Sequence, residues 1–168
     1  ESFLFNLENP LLDFLAVFLS LLFHWGILIP VFGAAYFVLR EKLWFKAFVG
    51  ASLTVVFTAA IKYLFAASRQ LLEKTALLVD PYSYPSGHSS VAFFIAFFFG
   101  IRYPKTLWIS LPVATLVALS RVYLGLHYFI DIIGGIVLGI LVALLIYIQY
   151  EDLEALEKKV NKLLNRFV

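Results

Sequence analysis

The chain has 168 residues and a formal net charge of +2, and 62% of its residues are hydrophobic while only 14% are charged. Its mean hydropathy of +0.93 lies far outside the range of soluble globular domains, so the composition predicts a membrane protein of one domain's length. Cysteine is absent, which excludes a disulfide framework and thiolate metal sites. Methionine is absent too, including an initiator, so we expect the sequence to begin inside a longer chain.

Apolar segments recur along the chain at lengths suited to membrane-spanning helices, which need about 20 residues to cross roughly 30 Å of hydrocarbon. An earlier piece, Pro10 to Phe23, carries Asp13 and Ser20 on one polar stripe at helical spacing, which His24 directly after it continues. This stripe favours a helix lying in the membrane interface, with His24 interfacial, over a tilted extra span. The prediction is an all-α polytopic transmembrane bundle of about five to six spans, in which residues 1–149 form the membrane domain and residues 1–24 its interfacial N-terminal segment. The spans are predicted at 25–39, 45–65, 87–101, 107–124 and 128–149, the third of them short.

The tail, residues 150–168, differs in kind because it alternates charged and apolar residues. Acids come early in it and bases late, an order that complements the helix dipole. It predicts an amphipathic cytoplasmic helix that lies on the membrane surface or contacts another subunit, and the oligomeric state stays open. It is not a nucleic-acid site, because no aromatic stacking platform accompanies its bases. Its apolar stripe consists of Leu153, Leu156, Val160, Leu163, Leu164 and Phe167.

Close helix packing is expected in the last span, where Gly135 and Gly139 form a GxxxG pattern.

Basic residues orient the spans. Of the 13 Lys and Arg residues, nine fall in three places that the predicted spans put on one side, which the positive-inside rule makes cytoplasmic. These places are Arg40, Lys42 and Lys46; Arg102 and Lys105; and Lys158, Lys159, Lys162 and Arg166. The other four bases fall at or near the opposite, outer face, where they need an explanation: Lys62, Arg69, Lys74 and Arg121.

A polar constellation accompanies these outer bases at the predicted helix ends. His88 begins the third span, and His127 and Asp131 begin the fifth, four residues apart, so that the carboxylate can orient one imidazole. Gly87 and the helix start after it offer backbone N–H groups to an anion. Charged groups at this depth normally face the interior of a bundle, and the excess of positive charge among them favours binding of an anion.

These residues resemble a known three-part signature, that of the type 2 phosphatidic acid phosphatase superfamily, which also contains vanadium haloperoxidases. The three parts stand here as KYLFAASR from Lys62 to Arg69, PSGH from Pro85 to His88, and SRVYLGLHYFID from Ser120 to Asp131. The chain departs from the family pattern at Gln70, where the family usually has Pro, and at Phe129 and Ile130, where many bacterial members have Pro-Ser. Neither departure removes a catalytic side chain.

The resemblance implies a role for each matching residue. His127 would attack phosphorus and become a phosphohistidine, with Asp131 orienting it and His88 protonating the departing oxygen. No metal and no cofactor are implied, because fixed cations do the electrostatic work. The phosphate oxygens would be held by Lys62, Arg69, Ser86, Gly87 and Arg121. Lys74, Tyr82 and Tyr84 are weaker candidates for contact with the substrate head group.

The function predicted from this resemblance is hydrolysis of a phosphate monoester or terminal phosphate of an anionic lipid, at the outer face of the cytoplasmic membrane. Candidate substrates are lipid A 1-phosphate, phosphatidylglycerol phosphate, undecaprenyl diphosphate and phosphatidic acid. The small size of the chain weakly favours the first of these. Two alternatives keep the same residues: a lipid phosphotransferase that uses the same phosphohistidine, and a non-catalytic anion-binding membrane protein. A haloperoxidase is disfavoured because those relatives are soluble.

Overall fold

The computed structural model describes residues 9–39, 41–67 and 81–164, and within these ranges the chain forms seven α-helices. These helices confirm the predicted all-α fold class. Arg69 and Lys74 lie outside the described residues. The helices are α1 (Pro10–Leu22), α2 (Trp25–Leu39), α3 (Lys42–Phe65), α4 (Gly87–Arg102), α5 (Leu107–Tyr123, preceded by a 3₁₀ turn at Pro104–Thr106), α6 (Phe129–Ile148) and α7 (Tyr150–Leu164).

Three of these segments are long and apolar enough to cross a membrane by themselves: Lys42–Phe65, Pro104–Tyr123 and Phe129–Ile148. Helices α1 and α2 pass the same criterion only together, as a pair bent by 46° at a break of a few residues. Length and composition thus support three spans, or four if the bent pair counts as one. The predicted number of five to six is higher because α1 and α2 are each too short and α4 has only 16 residues.

Large apolar side chains cover the outside of the bundle, as expected for a surface in contact with lipid. Leu64, Trp108 and Ile148 are 80%, 86% and 77% exposed. Helix α4 is the exception, since none of residues 87–101 is fully exposed. It lies in the centre of the bundle, packed against α3, α5 and α6, which explains how a short apolar helix is accommodated.

Glycines bring α6 against the first turns of α4, as the GxxxG pattern predicts. A Cβ atom on Gly135 would lie 2.6 Å from the carbonyl oxygen of Ser86, and one on Gly139 would collide with the carbonyl oxygen of Ser90. Such contacts are possible only where both positions lack a side chain. The packing fixes the height of the PSGH segment relative to the start of α6.

The amphipathic helix α7 packs against the end of the bundle where α3 begins. Glu154 lies 3.0 Å from the Nζ of Lys42 and 3.5 Å from that of Lys46, which is 1% exposed. The Tyr36 hydroxyl of α2 donates to Asn161 Oδ1 at 2.7 Å. One face of α7 therefore contacts its own bundle. Of the predicted apolar stripe, Leu153 is buried in this contact, whereas Leu156 and Leu163 stay about half exposed.

Candidate active site

The opposite end of the bundle holds the predicted constellation, and two helix starts and one tight turn position it. Ser86 is the N-cap of α4, where its hydroxyl accepts from the backbone N–H of Ser89 at 3.4 Å. Gly125 turns the chain between α5 and α6 with a φ of 67°, a conformation that suits glycine. After this turn the N–H of His127 donates to the carbonyl of Arg121 at 3.2 Å. The turn thus places a cation and a histidine side by side.

His127 is buried and paired with Asp131. Its Nδ1 lies 3.3 Å from Oδ2 of Asp131, a carboxylate that is 2% exposed. The same Oδ2 accepts from the backbone N–H of Tyr128 at 2.9 Å, and Oδ1 accepts from the Ser83 hydroxyl at 3.4 Å. A carboxylate accepts hydrogen bonds, so Nδ1 carries the imidazole proton and Nε2 keeps its lone pair.

A cavity of about 480 Å³ lies beside this pair, and Lys62, Arg121, His88 and His127 line it. None of the described residues in its wall is acidic. Thr58, one helical turn before Lys62, adds a buried hydroxyl to the wall. Besides its apolar side chains, the wall contains Ser20, His24, Thr58, Lys62, Gly87, His88, Arg121 and His127.

The two cations of the wall have defined hydrogen-bond partners. Lys62 donates to the backbone carbonyl of Tyr82, and Arg121 donates through Nη1 to the hydroxyl of Ser20. Both side chains are buried, at 7% and 6% exposure, so their charges lie in a medium of low dielectric constant, where they attract an anion more strongly than in water. The cavity is therefore suited to bind a group with several negative oxygens.

Ser20 and His24 were not predicted as site residues. The polar stripe that they form with Asp13 was assigned to the membrane interface, but it faces the protein: Asp13 accepts from the Tyr123 hydroxyl of α5 at 2.7 Å. His24 lies at the break between α1 and α2, with its ring 5.8 Å from that of His88. The helical spacing of the stripe was the available signal, since it matches a helix packed on a polar cavity as well as one on a membrane surface.

Some predicted residues lie outside the cavity wall. Ser86 is fully buried behind it, with its oxygen also accepting from the Ser89 hydroxyl at 3.0 Å. The ring of Tyr84 packs on Gly134 and on Phe65, and Tyr82 stacks edge-on against Tyr63 with 5.6 Å between ring centroids. The proposed contact of these tyrosines with a head group stays a prediction.

In the described ranges no group of three or more His, Asp or Glu side chains is placed to hold a metal ion.

A helical membrane bundle with a cationic, histidine-bearing cavity at one end defines the class of this protein. The chain belongs to the PAP2 superfamily, whose family model matches residues 43–155. This confirms the resemblance carried by the three motifs, all of which fall within the matched range.

Individual relatives agree with this assignment. The undecaprenyl-diphosphatase of Sulfolobus acidocaldarius is 36% identical over 103 residues, which are 54% of this chain and 50% of that protein. The bacitracin transport permease protein BcrC of Bacillus licheniformis is 38% identical over 65 residues, 39% of this chain and 32% of that protein. The chain thus spans about a third to a half of the length of these curated relatives.

Two solved structures share the fold. The transmembrane PAP2-type phosphatidylglycerolphosphate phosphatase of Bacillus subtilis superimposes with a TM-score of 0.71 at 22% identity, covering 90% of this chain and 82% of that one. Aquifex aeolicus LpxE gives 0.69 at 26% identity, covering 86% of this chain and 90% of that one.

Proposed function

We propose that this protein is a lipid phosphatase that removes a terminal phosphate from an anionic membrane lipid. The observation that carries the proposal is the joint presence of His127, held by Asp131, and of Lys62, Arg121 and His88 around one cavity. A histidine with a fixed tautomer is a nucleophile, and the cations suit the three charged oxygens of a phosphoryl group.

In the proposed reaction Nε2 of His127 attacks phosphorus, and the bond between phosphorus and the leaving oxygen breaks. His88 gives its proton to that oxygen, so the dephosphorylated lipid departs neutral at this atom. Water then attacks phosphorus and gives its proton to His88, the bond between phosphorus and Nε2 of His127 breaks, and inorganic phosphate leaves. Lys62 and Arg121 stabilise the negative charge that develops on the oxygens in both steps, so the reaction as proposed needs no metal.

A membrane lipid is the proposed substrate because the cavity is set in a bundle with an apolar outer surface, where a head group can be bound while its acyl chains stay in the bilayer. The curated relatives and solved structures differ in the lipids that their names carry, so the choice among the four candidate lipids is left to assay. We also place the site at the outer face of the cytoplasmic membrane, since Lys42, Lys46 and the lysines of α7 occupy the other end.

The test is phosphate release by the purified protein in detergent, with and without chelator, from each of the four candidate lipids. His127→Ala and His88→Ala are expected to lose release. Lys62→Gln should lose it too, and Lys105→Gln, which removes an exposed cation at the other end of the bundle, is the matched control and should behave as the wild type. Phosphorylated acceptor without inorganic phosphate would indicate a transferase, and release indifferent to His127 would refute the mechanism.

A further inference from the structure

The break between α1 and α2 exposes a backbone acceptor towards the cavity. In a continuous helix the carbonyl of Ser20 would accept from the N–H of His24, four residues later. Here the N–H of His24 donates to the carbonyl of Leu21 instead, at 3.1 Å. The Ser20 carbonyl is one of the last carbonyls of α1, which have no hydrogen-bond partner within the helix. Nε2 of His88 lies 3.0 Å from it.

The side chain of the same residue contacts a cation. Its hydroxyl donates to the carbonyl of Ala16 at 2.8 Å, so the hydroxyl hydrogen is already in use. The lone pairs of Ser20 Oγ are left as acceptors, and Nη1 of Arg121 donates to them. One buried residue of α1 therefore holds two of the groups that the proposed reaction uses, through its backbone and its side chain separately.

We infer that Ser20 is a positioning residue of the active site, and that the bent pair α1–α2 is part of the catalytic unit. The inference rests on the proposed function for its catalytic meaning. Because a carbonyl can only accept, the contact requires that Nε2 of His88 carries a hydrogen, which leaves Nδ1 as the nitrogen that exchanges a proton with the leaving oxygen. The negative end of the α1 dipole stabilises the protonated imidazole that must donate.

The contact with Arg121 has a different effect. A guanidinium with a fixed partner presents its other N–H groups in a set direction, because the group is planar and rigid. Loss of the Ser20 hydroxyl should leave the charge of Arg121 in place but make the orientation of its guanidinium less fixed. A purely structural serine would have no such effect on binding of the transferred phosphate.

Three variants test the side chain. Ser20→Ala is expected to lower kcat/KM for phosphate release about tenfold to a hundredfold, the range for a hydrogen bond to a charged group. Ser20→Thr keeps the hydroxyl and should restore most of the activity. Ser52→Ala removes the same kind of bond, to the carbonyl of Phe48 at 2.8 Å in α3, and is the matched control that should remain within twofold of the wild type. Activity of Ser20→Ala within twofold of the wild type would overturn the role of the hydroxyl.

The backbone contact is tested without turnover, by ¹⁵N nuclear magnetic resonance of the histidines. The chain has three histidines, so single substitutions assign every ring. The expected result is a His88 with hydrogen on Nε2 in the wild type and in Ser20→Ala, since the carbonyl survives that change. Hydrogen on Nδ1 instead would overturn the contact. If the wild type releases no phosphate from any lipid, the proposed function fails, while this measurement still decides whether the end of α1 orients His88.

Discussion

Replacing Gly135 by alanine tests whether the contact between α4 and α6 sets the geometry of the site. The added Cβ would lie 2.6 Å from the Ser86 carbonyl oxygen and 2.9 Å from Ser89 Cβ, against about 3.4 Å for an ordinary contact. The start of α4 must therefore move by most of an ångström. Overpacking of this kind costs about 1–3 kcal/mol, and a misplacement of about 1 Å costs roughly a hundredfold in rate.

Gly33→Ala is the matched control, because there the new Cβ would meet the ring of Phe48 at 3.5 Å, an ordinary contact. Both substitutions gain up to about 1 kcal/mol of helix propensity in a helix interior, so the difference between them isolates the clash. Thermal unfolding in detergent and phosphate release are the two assays. We expect Gly135→Ala to unfold at a lower temperature than Gly33→Ala and to lose most of its activity. Equal unfolding temperatures together with wild-type activity would refute the packing argument.

Three further outcomes are expected. Asp131→Asn should lower kcat by at least about a hundredfold while leaving the fold intact, because an amide does not fix the tautomer of His127; measured kcat and unfolding temperature check this. His24→Gln should raise KM severalfold with kcat nearly kept, since a side chain of the cavity wall that takes no part in bond making contributes to ground-state and transition-state binding alike; a fall in kcat alone would contradict it. The hydrogen bond from Lys42 lowers the pKa of Glu154 below its usual value of 4.5, so the carboxylate stabilises the docked α7 above that value and loses this effect as the pH falls through the lowered pKa. The stability difference between wild type and Glu154→Gln should accordingly be present at pH 7 and disappear as the pH falls through the lowered pKa, and a difference that persists in more acidic solution would show that the charge of Glu154 is not its source.

Much of the arrangement follows from local signals in the sequence. The apolar lengths predict helices α3, α5 and α6, and the spacing of His127 and Asp131 predicts their pairing, because both depend only on helix geometry. The GxxxG pattern predicts a close approach in the same way, although it does not say that the partner is α4.

Other features depend on contacts between distant parts of the chain. The stripe of Asp13, Ser20 and His24 has the same period whether it faces a membrane surface or a cavity, so the packing of α1 against α5 could not be deduced from spacing. The direction of the Tyr84 ring depends on Gly134, which lies 50 residues away in the sequence. Helix α7 likewise has apolar and charged faces that fit a membrane surface as well as the start of α3.

Bilayer thickness should act unequally on the parts of this site. Helix α4, which carries His88, is enclosed by protein, whereas α3 and α5 have lipid-facing surfaces and carry Lys62 and Arg121 near their ends. Spanning helices respond to a thinner or thicker bilayer by tilting, while a helix enclosed by protein has little lipid contact through which to respond. The distance between the cations and the proposed acid therefore varies with the membrane, and activity measured in lipids of different acyl length should show an optimum.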